Sequence, residues 1–370
     1  MRRLVIAAGG GGDALGAVMV GASGHEGVDA AIFTYAWERL RVDPLPGPRS
    51  ASEFTGLRSV GRYNAQIVAA TAVKPPSRSM LPRLAGSVAT PVLLLDPTRG
   101  AAGLRDQIAE VVELADIDVV RLVDIGGDLV ARGDEREVTS PLADALVLAA
   151  CSALEVTAEV VVAGPGLDGE LPAAAVVERI HGLGGRWEAS LGRRDADAIL
   201  ESLAWHPTEA TALLAAAALG YRGTAEIRGE EVTVELTDDS RDVYIADLRA
   251  VIEGSVLAGL LVATRSLAEA EDVVREAHGA SEIDYEREKA ERLRGSGALI
   301  SSEDLANRAV AFIDLARRRG VDFVTCRRIA EGTAASGVEI AELRDSLRSA
   351  VPDHEAFPLW STRQVARIPD

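Results

Sequence analysis

Apolar runs of strand length alternate with amphipathic runs of helix length through the first two thirds of the chain. The blocks Leu4–Ala8, Ala30–Thr34, Pro91–Leu95, Val119–Val123 and Glu159–Ala163 are nearly continuous apolar stretches, the pattern of strands buried on both faces. Between them, Asp13–Val20, Ser79–Leu84, Leu104–Leu114, Leu142–Leu154 and Pro172–Leu183 read as helices. Pro172 suits the first turn of its helix, where a missing N–H leaves nothing unsatisfied. Alternation of this kind builds a mostly parallel sheet covered by helices on both faces. The fold expected is therefore α/β, a Rossmann-like three-layer sandwich.

Two regions depart from the alternation. Residues Thr224–Leu236 switch to period two around Gly229-Glu230, which predicts a small antiparallel hairpin insertion at about 222–247, with Asp242–Asp247 as a third strand. From Ser281 onward the chain reads as helical and highly charged, with Arg287, Lys289, Arg292 and Arg294 among Glu282, Glu286, Glu288 and Glu291, the spacing of a solvated face. Residues 1–280 thus form an α/β ligand-binding domain, and 281–370 a helical C-terminal extension packed on it. Pro44, Pro46, Gly47 and Pro48 mark a loop.

The candidate chemistry sits behind the strands. Gly9, Gly10, Gly11 and Gly12 run into Asp13 directly after the first strand and before a helix. Asp124-Ile125-Gly126-Gly127-Asp128 and Gly164-Pro165-Gly166-Leu167-Asp168-Gly169-Glu170 follow two later strands. Strand–glycine loop–helix segments gather backbone N–H groups where an anion can bind, and glycine lets the ligand reach them. Gly9, Gly11 and Ala14 also satisfy a dinucleotide fingerprint, with Glu38 near the place of its ribose-binding acid. No Walker lysine follows, so a P-loop is excluded. Asp13, Asp124 and Asp128 are the candidate metal ligands, because loop carboxylates beside a phosphate suit Mg²⁺. Asp128, Asp168, Glu170 and His206 are the candidate catalytic groups; His206, in a proline-bounded connection, is the general-acid candidate among five histidines. Trp37, Glu38 and Arg39 follow the second strand and place an arginine toward an anion. Ser140 before Pro141 reads as a helix cap that can also face the ligand, with Asp144 in the first turn. Arg327 and Arg328 either close an anion pocket or pair with Glu331. The structural alternative for all these aspartates is helix capping and turn bracing. No nucleophile elbow is present, which argues against a serine hydrolase.

Composition narrows the partners. A net charge of −18 argues against general nucleic-acid or membrane-surface binding. Lys74 and Lys289 are the only lysines, so any anion clamp is built from arginine. Cys151 and Cys326 form neither a disulfide framework nor a zinc motif. The N-terminal residues lack a signal-peptide pattern and no apolar run is long enough to span a bilayer, so a cytoplasmic protein is expected.

Taken together, Gly9–Asp13, Trp37-Glu38-Arg39 with the Pro44–Pro48 loop, Asp124–Asp128 with Ser140-Pro141-Leu142, Gly166–Glu170, Asp284–Arg287 and Arg327–Glu331 resemble a family of cytosolic archaeal and actinobacterial proteins of unknown function. The resemblance runs nearly end to end; it implies one α/β unit with one site and carries no activity. The expected function is an enzyme that binds a phosphorylated or carboxylated small molecule, such as a nucleotide, with Mg²⁺ assisting group transfer or hydrolysis. The alternatives are an NAD(P)- or flavin-dependent oxidoreductase and a non-catalytic sensor or scaffold. A homo-oligomer is compatible with either.

Overall fold

The computed structural model describes residues 1–22, 27–133, 135, 138, 141–229, 232–293, 302–333, 335 and 338–364. Ser140, Glu230 and Arg294 lie outside them. The parallel heart of the molecule is five strands: β1 (Arg2–Ala7), β2 (Val28–Tyr35), β7 (Val92–Leu95), β8 (Val119–Ile125) and β9 (Thr157–Ala163), in the spatial order β9-β8-β1-β2-β7. Antiparallel strands extend both edges. On the β9 side these are β13 (Asp242–Asp247) and then β10 (Arg186–Ser190); on the β7 side, β5 (Asn64–Ile67) and β4 (Arg58–Val60). The result is a nine-stranded mixed sheet, mostly parallel in its core. A small ribbon pairs β3 (Phe54–Thr55) with β6 (Ala72–Val73).

Side chains alternate across the sheet, and both faces are apolar because both are covered. Leu4, Ile6, Phe33, Tyr35, Leu122 and Val162 pack on one face with the helices Gly100–Leu114 and Pro141–Cys151. Val5, Ala7, Ile32, Val123, Ile125 and Val161 pack on the other with Gly11–Ala22 and Ala210–Leu219. Each large side chain buried this way stabilises the fold by about 1.5–3 kcal/mol relative to its exposed state. The strands and helices read from the apolar runs all occur, with ends shifted by a few residues.

Two expectations are corrected. The segment Asp242–Asp247 is antiparallel, but it pairs with β9 and β10 in the large sheet and not with the hairpin. Its inward residues Val243 and Ile245 belong to the core on that face, and burying them there outweighs local pairing. The C-terminal region is also not purely helical. The hairpin strands β11 (Gly223–Glu226) and β12 (Thr233–Leu236) form a second sheet with β14 (Phe323–Val324), β16 (Leu359–Ser361) and β15 (Glu355–Ala356), in the order β12-β11-β14-β16-β15. A separate apolar cluster containing Phe312, Ile329, Leu343 and Trp360 backs it. Glu226, fully buried on β11, is held by Arg319 and by Arg328 Nε at 2.7 Å.

Candidate functional site

Because β9, β8 and β1 are adjacent and parallel, the three glycine loops leave the sheet at the same edge. They interlock there. Gly166 N–H donates to Gly126 C=O at 2.7 Å, and Gly126 N–H donates to Ala163 C=O at 3.1 Å. Gly126 has φ +125° and a Cβ on it would collide with Asp168. A Cβ on Gly10 would sit 2.7 Å from Trp37 C=O, and one on Gly12 2.7 Å from Thr208 Oγ1. Gly9 N–H donates to Asp13 Oδ2 at 2.9 Å, so the chain's own carboxylate takes part of the amide cradle. At these positions glycine is required by other parts of the chain, where the sequence reading assigned the space to a ligand. Gly11 opens the helix that carries Asp13.

The loops line a cavity of about 140 Å³. Of the residues singled out from sequence, Gly9, Gly10, Gly12, Asp13, Trp37, Glu38, Arg39, Asp124, Asp128, Asp168, Glu170 and His206 line it. Gly126 and Gly127, both at positive φ, form the turn that sets Asp124 against Asp128. The lining also includes Asp144, Thr208, Glu209, Arg228, Glu282 and Arg327. Of these, Arg228 and Glu282 carried no sequence signal for a site. Glu282 and Glu286, expected on a solvated face, are both buried, one turn apart on the inward side of their helix, and only tertiary packing reveals that side.

The cleft is strongly acidic. Among its described lining residues are nine carboxylates, Asp13, Glu38, Asp124, Asp128, Asp144, Asp168, Glu170, Glu209 and Glu282, against Arg39, Arg228 and Arg327. Two of the arginines are engaged: Arg228 with Glu170 at 3.0 Å, and Arg327 with Glu209 and Glu331, both at 3.1 Å. Arg39 is exposed and, among the described residues, has no ion pair. Burial, reinforced by neighbouring like charges, pushes the Asp124, Asp128 and Asp144 carboxyls well above the usual range. Burial also raises Asp13 to about 7, against the Gly9 hydrogen bond and Arg39, and Asp168 to about 6. Glu282 rises to about 8 for the same first cause. Glu38 rises to about 7 even though Met80 N–H (2.7 Å) and Ser79 O–H (3.2 Å) donate to it. Asp144 Oδ1, Asp168 Oδ2, Glu282 Oε2 and His206 Nε2 are buried atoms of this lining with no hydrogen-bond partner among the described residues. Unsatisfied buried polar atoms are rare in folded proteins and cost about 1–3 kcal/mol each.

His206, the general-acid candidate, is a buried ring of this lining, 4 % exposed, and burial lowers its imidazole to about 3. Trp37 Nε1–H donates to Glu286 at 3.0 Å, and the same carboxylate oxygen accepts Gly47 N–H at 2.7 Å. These bonds dock the helix Glu282–Leu293 over the cleft. Among the described residues no three His, Cys, Asp or Glu side chains are already grouped to hold a metal ion. The aspartates sense one another's charge without forming a ready-made ligand set. Among the same residues, no helix is long and apolar enough to cross a membrane.

A family model described as a protein of unknown function (DUF1152) matches residues 4–290, and the chain belongs to that family. The match includes all three glycine loops and Glu282, and stops before Arg327–Glu331. No curated protein and no solved structure matches the chain.

Proposed function

We propose that this cleft belongs to a cytoplasmic enzyme of Rossmann-like design that binds a small phosphorylated molecule together with a divalent cation and transfers or hydrolyses its phosphoryl group. The observation that carries the reading is the convergence of Asp13, Asp124, Asp128, Asp144 and Asp168 on one cavity that also holds Arg39 without an ion pair. Ionising these crowded, buried carboxyl groups together is costly, and a bare anion beside them raises that cost. Paired with a cation, it would bring the positive charge the aspartates need, and Arg39 would take a phosphate oxygen. Asp13, Asp124 and Asp128 are the residues to hold Mg²⁺ after small side-chain rotations, since Asp13 stands in the first turn of the helix after β1, Asp124 at the end of the neighbouring β8 and Asp128 just after it in the same loop, all lining one cavity. The cation would neutralise charge on the transferred group.

The raised carboxyl pKa values suit proton transfer. Asp168, at about 6, is mostly ionised at pH 7 and fits a base; Glu282, at about 8, is mostly protonated and fits an acid. In the step proposed, a hydroxyl or water gives its proton to Asp168 as its oxygen bonds to phosphorus. The bond from phosphorus to the leaving oxygen breaks with its electron pair, and that oxygen takes the proton of Glu282. Direct dinucleotide binding is less well supported, because Asp13 already accepts from the Gly9 amide and would face the pyrophosphate with like charge.

Isothermal titration of pyrophosphate and nucleoside monophosphates, with and without Mg²⁺, tests this reading in the wild type and in Asp128→Asn. Binding is expected only with Mg²⁺, and at least tenfold weaker in the variant. Metal-independent binding that is unchanged or tighter in Asp128→Asn overturns it in favour of a direct dinucleotide site.

A further inference from the structure

We infer that His206 is a fixed, uncharged hydrogen-bond donor that holds an acceptor oxygen of the molecule bound in the cleft, and takes no part in proton transfer. The inference rests on the reading that a phosphorylated molecule binds there. Three observations lead to it. Thr208 N–H donates to His206 Nδ1 at 3.2 Å, which places the ring proton on Nε2. The Nε2 atom is buried, has no partner among the described residues, and belongs to a ring that lines the cleft. The ring is fixed from behind. Its centroid lies 5.6 Å from that of Trp205 in an edge contact, and Arg83 covers the Trp205 ring at 4.3 Å.

The chemistry of the surroundings explains why a neutral donor is useful. Carboxyl groups dominate the lining, and at pH 7 each is a proton source or a negative charge, not a fixed neutral donor. An imidazolium here would be drawn toward those carboxylates. A neutral imidazole with one N–H has nothing to pair with among them by charge, and its donor stays available to a phosphoryl or carbonyl oxygen. It adds direction where Arg39 adds charge. His206 is therefore a specificity-determining contact for an oxygen-bearing ligand.

The test uses the full chain. ¹⁵N-imidazole NMR at pH 7 should show His206 as the Nε2–H tautomer. That proton should exchange with water faster than the buried indole N–H of Trp360, which is bonded to Cys326 Sγ. Adding Mg²⁺ with pyrophosphate should shift the Nε2–H resonance. Two variants separate contact from architecture. In His206→Gln the amide nitrogen can reach the place of Nε2 and keep the donor; in His206→Asn the shorter side chain can keep the Thr208 contact and loses the donor. Magnesium pyrophosphate affinity should stay within about threefold in His206→Gln and fall roughly 10- to 100-fold in His206→Asn, as for a lost hydrogen bond to a charged group. The inference is overturned by an Nδ1–H tautomer or an imidazolium at pH 7, by equal losses in both variants, or by no loss in either. If the wild type binds no magnesium pyrophosphate, the phosphate reading fails on its own. His206 is then judged by the free protein: an Nε2–H that exchanges as slowly as the Trp360 indole is sealed in the core and refutes the donor role, and fast exchange of the Nε2–H tautomer upholds it.

Discussion

Glu282 and Asp284 stand two residues apart at the start of one helix, and their carboxyl groups are driven in opposite directions. Asp284 faces outward into a network. Arg275 donates to it from Nε at 2.6 Å and Nη2 at 2.9 Å, and Arg287 from Nη1 at 2.7 Å. Those bonds, Arg275 first, hold it well below the ordinary carboxylate range. Glu271 on the preceding helix accepts from the same two arginines. Glu282 faces inward, loses its water, keeps one oxygen without a partner, and rises to about 8. In the outer network Glu271, Asp272 and Asp284 share Arg275 and Arg287, every carboxylate bonded to at least one guanidinium, and the charges hold two helices together. In the cleft nine carboxyl groups face three arginines, and Asp144, Asp168 and Glu282 each keep an oxygen with no partner among the described residues. The paired charges serve architecture; the unpaired carboxyl groups of the cleft are what the proposed function draws on.

The comparison can be broken most forcefully through glycine. Both regions contain one at positive φ. Gly126 has φ +125° and no room for a Cβ, whereas Gly279, between the two networked helices, has φ +86° and nothing within 4 Å of where a Cβ would stand. Gly126→Ala should cost on the order of 3–4 kcal/mol, combining backbone strain with a clash against Asp168. Gly279→Ala should cost about 1 kcal/mol, from backbone strain alone. Urea denaturation of the two variants measures the difference, and equal costs would mean that the cleft loops do not interlock.

The pH dependence of stability sharpens the contrast, because the two regions have opposite signs. Asp13, Asp168 and Glu282 have folded-state pKa values above their unfolded ones. The folded protein therefore binds more protons, and the stability they contribute is complete below about pH 4 and is lost as the pH rises through about 6 to 8. Asp284 is lowered, so its contribution is present above the unfolded value of 3.8 and is lost as the pH falls below it. Unfolding free energies from urea denaturation of wild type and of the double variant Asp13→Asn, Asp168→Asn, taken from pH 4 to 9, should show a decline in the wild type on the order of 2–4 kcal/mol that is flatter in the variant. A wild-type curve that rises toward pH 8 would contradict the acidic, desolvated cleft.

The smallest effect belongs to the exposed network. Asp284→Asn at pH 7 should lose less than about 1 kcal/mol, and 0.5 M NaCl should remove much of that difference. A larger, salt-insensitive loss would make the network as structural as a core.

Much of this contrast was legible in the chain, for identifiable reasons. The apolar runs of β1, β8 and β9 are buried on both faces, so they read as strands without knowledge of their neighbours. Glycine–acid loops after those strands then had to meet once the strands proved adjacent. Long-range partners were not legible. Asp13 binding its own loop, Arg228 reaching Glu170, and Glu282 turning inward beside an outward Asp284 depend on packing between segments far apart in sequence. Asp242–Asp247 has the alternation of a strand, and alternation gives strand character without naming the neighbour. Arg327 and Arg328 looked equivalent, but one points to the cleft and the other to Glu226.

Glu226 also imposes an order on synthesis. Its carboxylate ends up fully buried between Arg319 and Arg328. At about 5–20 residues per second, a ribosome needs on the order of 5–20 s after making Glu226 to reach those arginines. Throughout that interval the inner edge of β11 lacks β14, and Glu226 must remain in water, since burying it alone would strand a charge. The glycine loops and their aspartates are already made by then. The nascent chain can therefore close the large sheet around the acidic cleft early, while the small sheet beside it stays open until the C-terminal arginines arrive.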